Sequence, residues 1–159
     1  MYNRVLVPVD GSDVAAAVLP FILGIAGPLD FEVMLLRVSQ PVSPIALETA
    51  RYIEVEDEEA LRVEIEAYLR GLAATLEARG VRVKTLVRRG DPVTEILTAA
   101  REERADLIAM TTHGRTGPAR VLLGSVAESV LRHADVPVFM LRQTEKEAAR
   151  RFSEAAVGV

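Results

Sequence analysis

The 159-residue chain contains no cysteine and no long apolar run. The absence of cysteine excludes disulfide bonds, cysteine-based zinc sites and cysteine nucleophiles. No apolar run approaches the roughly 18 residues that a membrane-spanning helix needs. The N-terminal segment reaches Asp10 too early to hold the apolar core of a signal peptide. These absences predict a cytoplasmic protein that has no membrane partner.

Basic residues are also scarce relative to acidic ones, with 19 Lys and Arg against 23 Asp and Glu and a formal net charge of −4. Proteins that bind nucleic acid in general are more often basic, so this balance argues against a nucleic-acid partner. Residues 114–117 have the GxxG spacing of a KH-domain loop, but the acidic balance and the strand-like run before them argue against that class. Neither the P-loop motif G-x-x-x-x-G-K-[ST] nor the G-x-G-x-x-G fingerprint occurs.

Strand-like runs alternate with helical patterns along the chain. Continuous apolar runs are typical of strands buried on both faces of a parallel sheet, whereas alternation at 81–88 indicates an edge strand. A β-α-β-α-β-α-β-α-β order predicts a single α/β domain with a parallel sheet and helices on both faces. The five predicted strands are 5–9, 31–38, 81–88, a strand that opens at 107–110, and 136–141.

The helical patterns have recognisable ends. Ser12 or Asp13 is a suitable N-cap for a helix that runs to about Ala26, is disturbed at Pro20, and ends at Gly27-Pro28. Residues 57–79 predict an amphipathic helix. Its apolar stripe consists of Leu61, Ile65, Tyr68, Leu69, Leu72 and Leu76.

The most informative stretch is 107–131, which passes from a strand-like run through a glycine-bearing loop to a helix start at Gly124-Ser125. Unpaired N–H groups at a helix N-terminus favour a phosphate, and glycines let the backbone approach it. In doubly wound sheets, ligands bind at the strand carboxyl ends where the winding direction reverses. If the fourth strand lies beside the first, Asp10 and the glycine loop meet at one crevice. The alternative is a surface loop that needs glycine only for its turns.

Four segments carry a resemblance to a known family. They are 5–12 (VLVPVDGS), 112–117 (THGRTG), 122–131 (LLGSVAESVL) and 134–141 (ADVPVFML). With them, the chain resembles the universal stress protein family over nearly its full length. The resemblance implies a universal stress protein domain at 1–142, a helical or frayed tail at 143–159, and a Rossmann-like five-stranded parallel sheet in the order 3-2-1-4-5.

The ATP-binding branch of that family carries the pattern G-x2-G-x9-G-[ST]. Gly114, Gly124 and Ser125 match it, but Thr111 stands where the pattern has its first glycine. The resemblance implies that Asp10 lies by the ribose and phosphates and that the Val38 backbone meets the adenine. The full set of implied nucleotide-binding residues is Pro8, Val9, Asp10, Val38, Met110, Thr111, Thr112, His113, Gly114, Arg115, Gly117, Gly124, Ser125 and Val126.

The resemblance also implies a function, namely a regulatory or stress-response protein that binds ATP, or AMP or ADP in its place. It implies Mg²⁺ or Mn²⁺ held mainly by the phosphates, and a homodimer formed by antiparallel pairing of strand 136–141. No base is placed to activate water and no nucleophile partners His113, so we predict no catalytic residue and at most slow ATP hydrolysis. Two alternatives stay open: a nucleotide-free dimeric scaffold, if Thr111 blocks the pocket, and a true ATPase or adenylyl-transferring enzyme.

Overall fold

The computed structural model describes residues 3–29, 31–40, 54–113 and 124–143. Strands and helices alternate through these ranges as the sequence predicts. In chain order the elements are β1 (Arg4–Val9), α1 (Asp13–Ala16), α2 (Leu19–Leu29), β2 (Glu32–Ser39), α3 (Glu54–Glu77), β3 (Arg82–Arg89), α4 (Pro92–Glu102), β4 (Leu107–His113), α5 (Ser125–His133) and β5 (Val138–Gln143).

The strands form one five-stranded sheet in the order β3-β2-β1-β4-β5, and every neighbouring pair is parallel. Val5 of the central strand lies opposite Val33 on one side and Leu107 on the other. The Asp106 carboxylate accepts from the backbone N–H of Asn3 at 2.7 Å and of Arg4 at 3.0 Å, which aligns the start of β1 with the start of β4. The predicted order 3-2-1-4-5 is therefore confirmed, and the first and fourth strands are neighbours.

Helices cover both faces of the sheet. Alternate residues of β1 point to opposite faces, so Val5 and Val7 pack on one side and Leu6 on the other. The first side is closed by α2 and α3, through residues such as Ile22 and Leu69. The second is closed by α4 and α5, where Ile96, Ala99, Ala127 and Val130 are buried. This two-sided burial explains why the central strands are continuous apolar runs.

The first predicted helix is in fact two. Ser12 is the N-cap of α1, its hydroxyl accepting from the Ala15 N–H at 3.1 Å, but α1 ends at Ala16 and α2 begins at Leu19. Pro20 is the second residue of α2, a first-turn position at which its missing N–H is tolerated. The disturbance expected near Pro20 is thus a break placed just before it. The predicted end at Gly27-Pro28 is one residue short, since α2 runs to Leu29.

Other boundaries differ by a few residues from the sequence prediction. Helix α3 begins three residues earlier than predicted, at Glu54, and ends at Glu77. Strand β5 covers 138–143 rather than 136–141. Pro137 has no N–H to give to a ladder, although its carbonyl accepts from Ile108 N–H at 3.0 Å, so the strand begins after it. The predicted tail beyond 143 lies outside the described residues.

Candidate functional site

A cavity of about 520 Å³ opens at the carboxyl ends of β1, β2 and β4. This is the crevice that the sheet order predicts, because the winding direction reverses between β1 and β4. Helix α3 borders it on one face of the sheet, and the first turns of α4 and α5 border it on the other. Its size falls within the range of roughly 300–1,000 Å³ that is usual for small-molecule sites.

Most of the residues expected at the site line this cavity. Their common feature is a position at a strand end or at the start of α5. They are Pro8, Val9, Asp10, Val38, Met110, Thr111, Thr112, Gly124, Ser125 and Val126. His113 is the last residue of β4. Gly114, Arg115 and Gly117 lie outside the described residues.

Asp10 is held in place by the turn that follows β1. Its Oδ1 accepts from the Ser12 N–H at 2.9 Å and from the Ser12 hydroxyl at 2.5 Å. Gly11, between them, has φ +90°, a backbone conformation that residues other than glycine rarely adopt. The same Ser12 hydroxyl caps α1, so the helix start and the carboxylate are fixed together at the cavity.

The start of α5 presents free backbone donors to the cavity. Gly124 is the N-cap and makes no side-chain capping bond, and the first helical bond runs from Glu128 N–H to the Gly124 carbonyl at 2.9 Å. The N–H groups of the first turn therefore have no partner within the helix. A Cβ placed on Gly124 would meet no atom of the described residues within 4 Å, and its φ of −56° suits any residue. Packing within the described part of the chain therefore does not require glycine at this position.

Thr111, which stands where the glycine pattern has its first glycine, places a side chain in the wall of the cavity. The side chain is half-buried, and its hydroxyl donates to the Ala15 carbonyl at 3.4 Å. This contact ties the end of β4 to the end of α1. Thr111 still lines the cavity, so it occupies space that a glycine would leave open.

Sequence reasoning missed the apolar walls of the cavity. Leu61 and Ile65 of α3 form one wall, and Pro92 and Ile96 of α4 form the opposite one. Leu61 belongs to the predicted apolar stripe of its helix but is 43% exposed, because it lines the cavity. Helical periodicity shows which side of α3 is apolar, but it does not show whether the facing space is filled. The other missed lining residues are Ala15, Leu36, Arg37, Ser39, Gln40 and Ala127.

Tyr68 is a half-buried residue next to the site, and its hydroxyl oxygen is buried. The hydroxyl has no hydrogen-bond partner in the described structure, although the Gly11 N–H lies near enough to lower its pKa slightly. Burial, and then the negative charge of Asp10, raises the pKa of Tyr68 to about 12, and the positive charge of Arg37 opposes this rise. Asp10 and Arg37 therefore both lie close enough to Tyr68 for their charges to be felt there.

The described ranges contain neither a protein-made metal site nor a membrane-spanning helix. Residues 3–29, 31–40, 54–113 and 124–143 contain no group of three or more His, Asp or Glu side chains placed to hold a metal ion. Among the helices of those same ranges, none is both long enough and apolar enough to cross a bilayer.

Comparison with known proteins identifies the class. Residues 1–142 match the family model described as the universal stress protein family. Universal stress protein MJ0531 of Methanocaldococcus jannaschii is 36% identical over 147 residues, which are 92% of this chain and 86% of that protein. The chain therefore belongs to the universal stress protein family, as its sequence motifs imply.

Solved structures agree with the fold. That of the Methanocaldococcus jannaschii protein MJ0577 superposes with a TM-score of 0.69 at 28% identity, covering 91% of this chain and 98% of that one. A universal stress protein solved in complex with cAMP superposes with a TM-score of 0.64 at 23% identity, covering 90% of this chain and 98% of that one. At 23% identity, this second similarity concerns the fold alone.

Proposed function

We propose that the protein is a regulatory universal stress protein that binds an adenine nucleotide, foremost ATP, in the cavity between β1 and β4. The observation that carries the proposal is the start of α5. Packing against the described residues does not require glycine at 124, and an N-cap glycine has no side chain that could bond the N–H groups of the first helical turn. A bare helix N-terminus of this kind favours a phosphate group.

The rest of the cavity suits the other parts of a nucleotide. Asp10, fixed by Ser12, offers carboxylate oxygens to ribose hydroxyls. Leu61 of α3 and Ile96 of α4 give the cavity lining apolar surface that suits a base, and the edge of that base would meet the Val38 backbone at the end of β2. A relative of this fold has been solved with cAMP, an adenine nucleotide. Its identity of 23% makes it a secondary support.

Metal and hydrolysis follow from the same set of residues. We propose that Mg²⁺ or Mn²⁺ is held mainly by the phosphates and water, because Asp10 is the sole carboxylate in the cavity lining as described. The Asp10 carboxylate already accepts two hydrogen bonds from Ser12, and we expect hydrolysis to be slow at most. The protein would act by binding rather than by turnover, in the cytoplasm.

A second candidate function, a nucleotide-free scaffold, is favoured by Thr111. Its side chain occupies the wall beside Ala15 and narrows the cavity there. In either case we propose a homodimer in which β5 pairs antiparallel with its counterpart. The proposal rests on β5, a sheet edge of Val138, Phe139, Met140 and Leu141 with no ion pair among the described contacts.

The test is calorimetric titration of the wild type and of Gly124→Val with ATP and Mg²⁺. A valine at the N-cap has room in the empty protein but would cover the phosphate position, so we expect at least about a tenfold loss of affinity, or about 1.4 kcal/mol. Gly71→Val is the matched control, because Gly71 lies on α3 away from the cavity and a Cβ there also meets nothing within 4 Å.

Two outcomes would contradict the proposal. If Gly124→Val and the wild type bind ATP equally while both remain folded by circular dichroism, the phosphate does not lie at α5. If the wild type takes up no adenine nucleotide, the scaffold becomes the better account. Thr111→Gly separates the two cases, since binding that appears only in this variant would identify Thr111 as the obstruction.

A further inference from the structure

Arg37 is a half-buried cation of the cavity lining, and no carboxylate of the described residues forms an ion pair with it. The structure offers a direct comparison with Arg88, which is also half-buried but lies against Glu95 at 3.7 Å and against Glu102. Within the described residues no carboxylate lies within 4 Å of Arg37, whose Nη1 makes only a long contact of 3.5 Å to the Val38 carbonyl. A guanidinium that is withdrawn from water without a counter-charge is suited to bind an anion.

The position of Arg37 separates it from the proposed phosphate site. It belongs to β2, two strands away from β4, and neighbouring strands lie roughly 5 Å apart, so about 10 Å separates the two strand ends. Its Nη2 lies 3.9 Å from the position of a Cβ on Gly11, in the turn that carries Asp10. The charges of Asp10 and Arg37 both act on the Tyr68 hydroxyl, so the two side chains lie near each other. The guanidinium therefore stands beside the residue that we assign to the ribose.

This arrangement points to a particular class of ligand. A carboxylate beside a ribose recognises its hydroxyls, and an arginine beside a ribose accommodates a phosphate on the sugar, as in nucleotide-binding folds that select a 2′-phosphate. The planar guanidinium can donate two parallel hydrogen bonds to one phosphate. We propose that Arg37 makes the site prefer adenine nucleotides that carry a second phosphate on the ribose 2′- or 3′-hydroxyl. The inference rests on the proposed function, since it assumes that the 5′-phosphate lies at α5.

Asp10 sets a limit on this preference. Its negative charge lies on the same side of the cavity as the proposed second phosphate and opposes it. Two hydrogen bonds from Ser12 are directed at the Asp10 carboxylate, which turns at least one of its oxygens toward the α1 turn. Arg37 must therefore offset the repulsion, and without Arg37 the second phosphate should become a disadvantage.

The test compares three ligands by calorimetric titration, namely 5′-AMP, adenosine 2′,5′-bisphosphate and adenosine 3′,5′-bisphosphate. We expect the wild type to bind one of the two bisphosphates at least about tenfold more tightly than 5′-AMP, the size of one charge-assisted contact. Which bisphosphate is preferred identifies the ribose position. In Arg37→Gln the ratio of the affinity for that bisphosphate to the affinity for 5′-AMP should fall to one or below, and Arg37→Lys should keep part of the preference.

Arg104→Gln is the control for net charge. Arg104 is exposed just before β4, at the opposite end of the strands, and the cavity lining does not include it. This variant should retain the wild-type ratio. Circular dichroism and thermal melting establish that each variant is folded.

The possible results are distinct. Binding of 5′-AMP with no preference for either bisphosphate overturns the inference and leaves the proposed function standing. An equal fall of the ratio in Arg37→Gln and Arg104→Gln also overturns it, because the effect would then be one of overall charge. Failure of the wild type to bind any of the three ligands or ATP refutes the proposed function, and the inference falls with it.

Discussion

The two edges of the sheet are built in opposite ways. Edge strand β3 is lined with ion pairs, in which Lys84 meets Glu103 at 2.6 Å, Arg88 meets Glu95 and Glu102, and Arg89 meets Glu58 at 2.6 Å. Edge strand β5 has four consecutive half-buried apolar residues, 138–141, and none of the described ion pairs. Charged side chains keep a second chain from adding to an edge, whereas an apolar edge invites one.

A position at the edge of the sheet therefore does not by itself decide whether a second chain can pair with that strand. Both strands have one side of their backbone unpaired within the described sheet. The charged side chains of β3 are spread along the strand and paired with carboxylates, whereas on β5 Arg142 follows four apolar residues in a row. The proposed dimer rests on this contrast, and three substitutions test the contrast from either edge.

The largest effect is expected from Met140→Lys, which gives β5 a charge like those of β3. Met140 is half-buried at the open edge, so a lysine there can reach water while keeping its own strand in place. Two such charges would be brought close together by antiparallel pairing. We expect the dimer to weaken at least about 100-fold, or about 3 kcal/mol, as measured by sedimentation velocity over a dilution series. A dimer of unchanged affinity would show that β5 is not the interface.

An intermediate effect is expected from Arg88→Met, which removes the β3 charge that pairs with two carboxylates. Glu95 and Glu102 would lose their shared partner, and both carboxylates would face each other across an apolar side chain. We expect the free energy of unfolding to fall by about 1–2 kcal/mol in urea titrations, and the loss to shrink at high salt. A loss that does not depend on salt would mean that Arg88 acts through packing of its stem.

The smallest effect is expected from Val87→Lys, the matched change on the other edge. Val87 is 43% exposed and directly precedes Arg88 on β3, so a further charge disturbs no core contact. We expect stability within about 0.5 kcal/mol of the wild type and no change in sedimentation. Dissociation of the dimer by this variant would place the interface on β3 and reverse the comparison.

Much of the architecture is accessible from the sequence because the residues that define it act locally or periodically. Alternation of strands and helices fixes a parallel sheet, and the motif resemblance supplies its order. The placement of Asp10 and Gly124 at one crevice then follows from topology. The sequence also indicates the break before Pro20, since proline is tolerated in the first turn of a helix but not in its interior.

Other parts of the site were not accessible, and the reason is physical. Arg37 lies in an apolar run, and the alternation of a strand predicts which face of the sheet its side chain is on. It does not predict that no carboxylate among the described residues pairs with this arginine. Leu61 satisfies the helical period, and only the folded chain shows that it faces a cavity. The shift of β5 could have been predicted by accounting for the missing N–H of Pro137.

The central position of β1 has a consequence for how the chain is made. Val5 pairs with Leu107, so the first strand to leave the ribosome waits for about a hundred residues before its second neighbour exists. Until then the strand at the middle of the sheet is an exposed apolar edge, and the Asn3 and Arg4 amides lack the Asp106 carboxylate. We expect the domain to fold in one late, cooperative step after β4 emerges, with the nascent chain dependent on chaperones until that point.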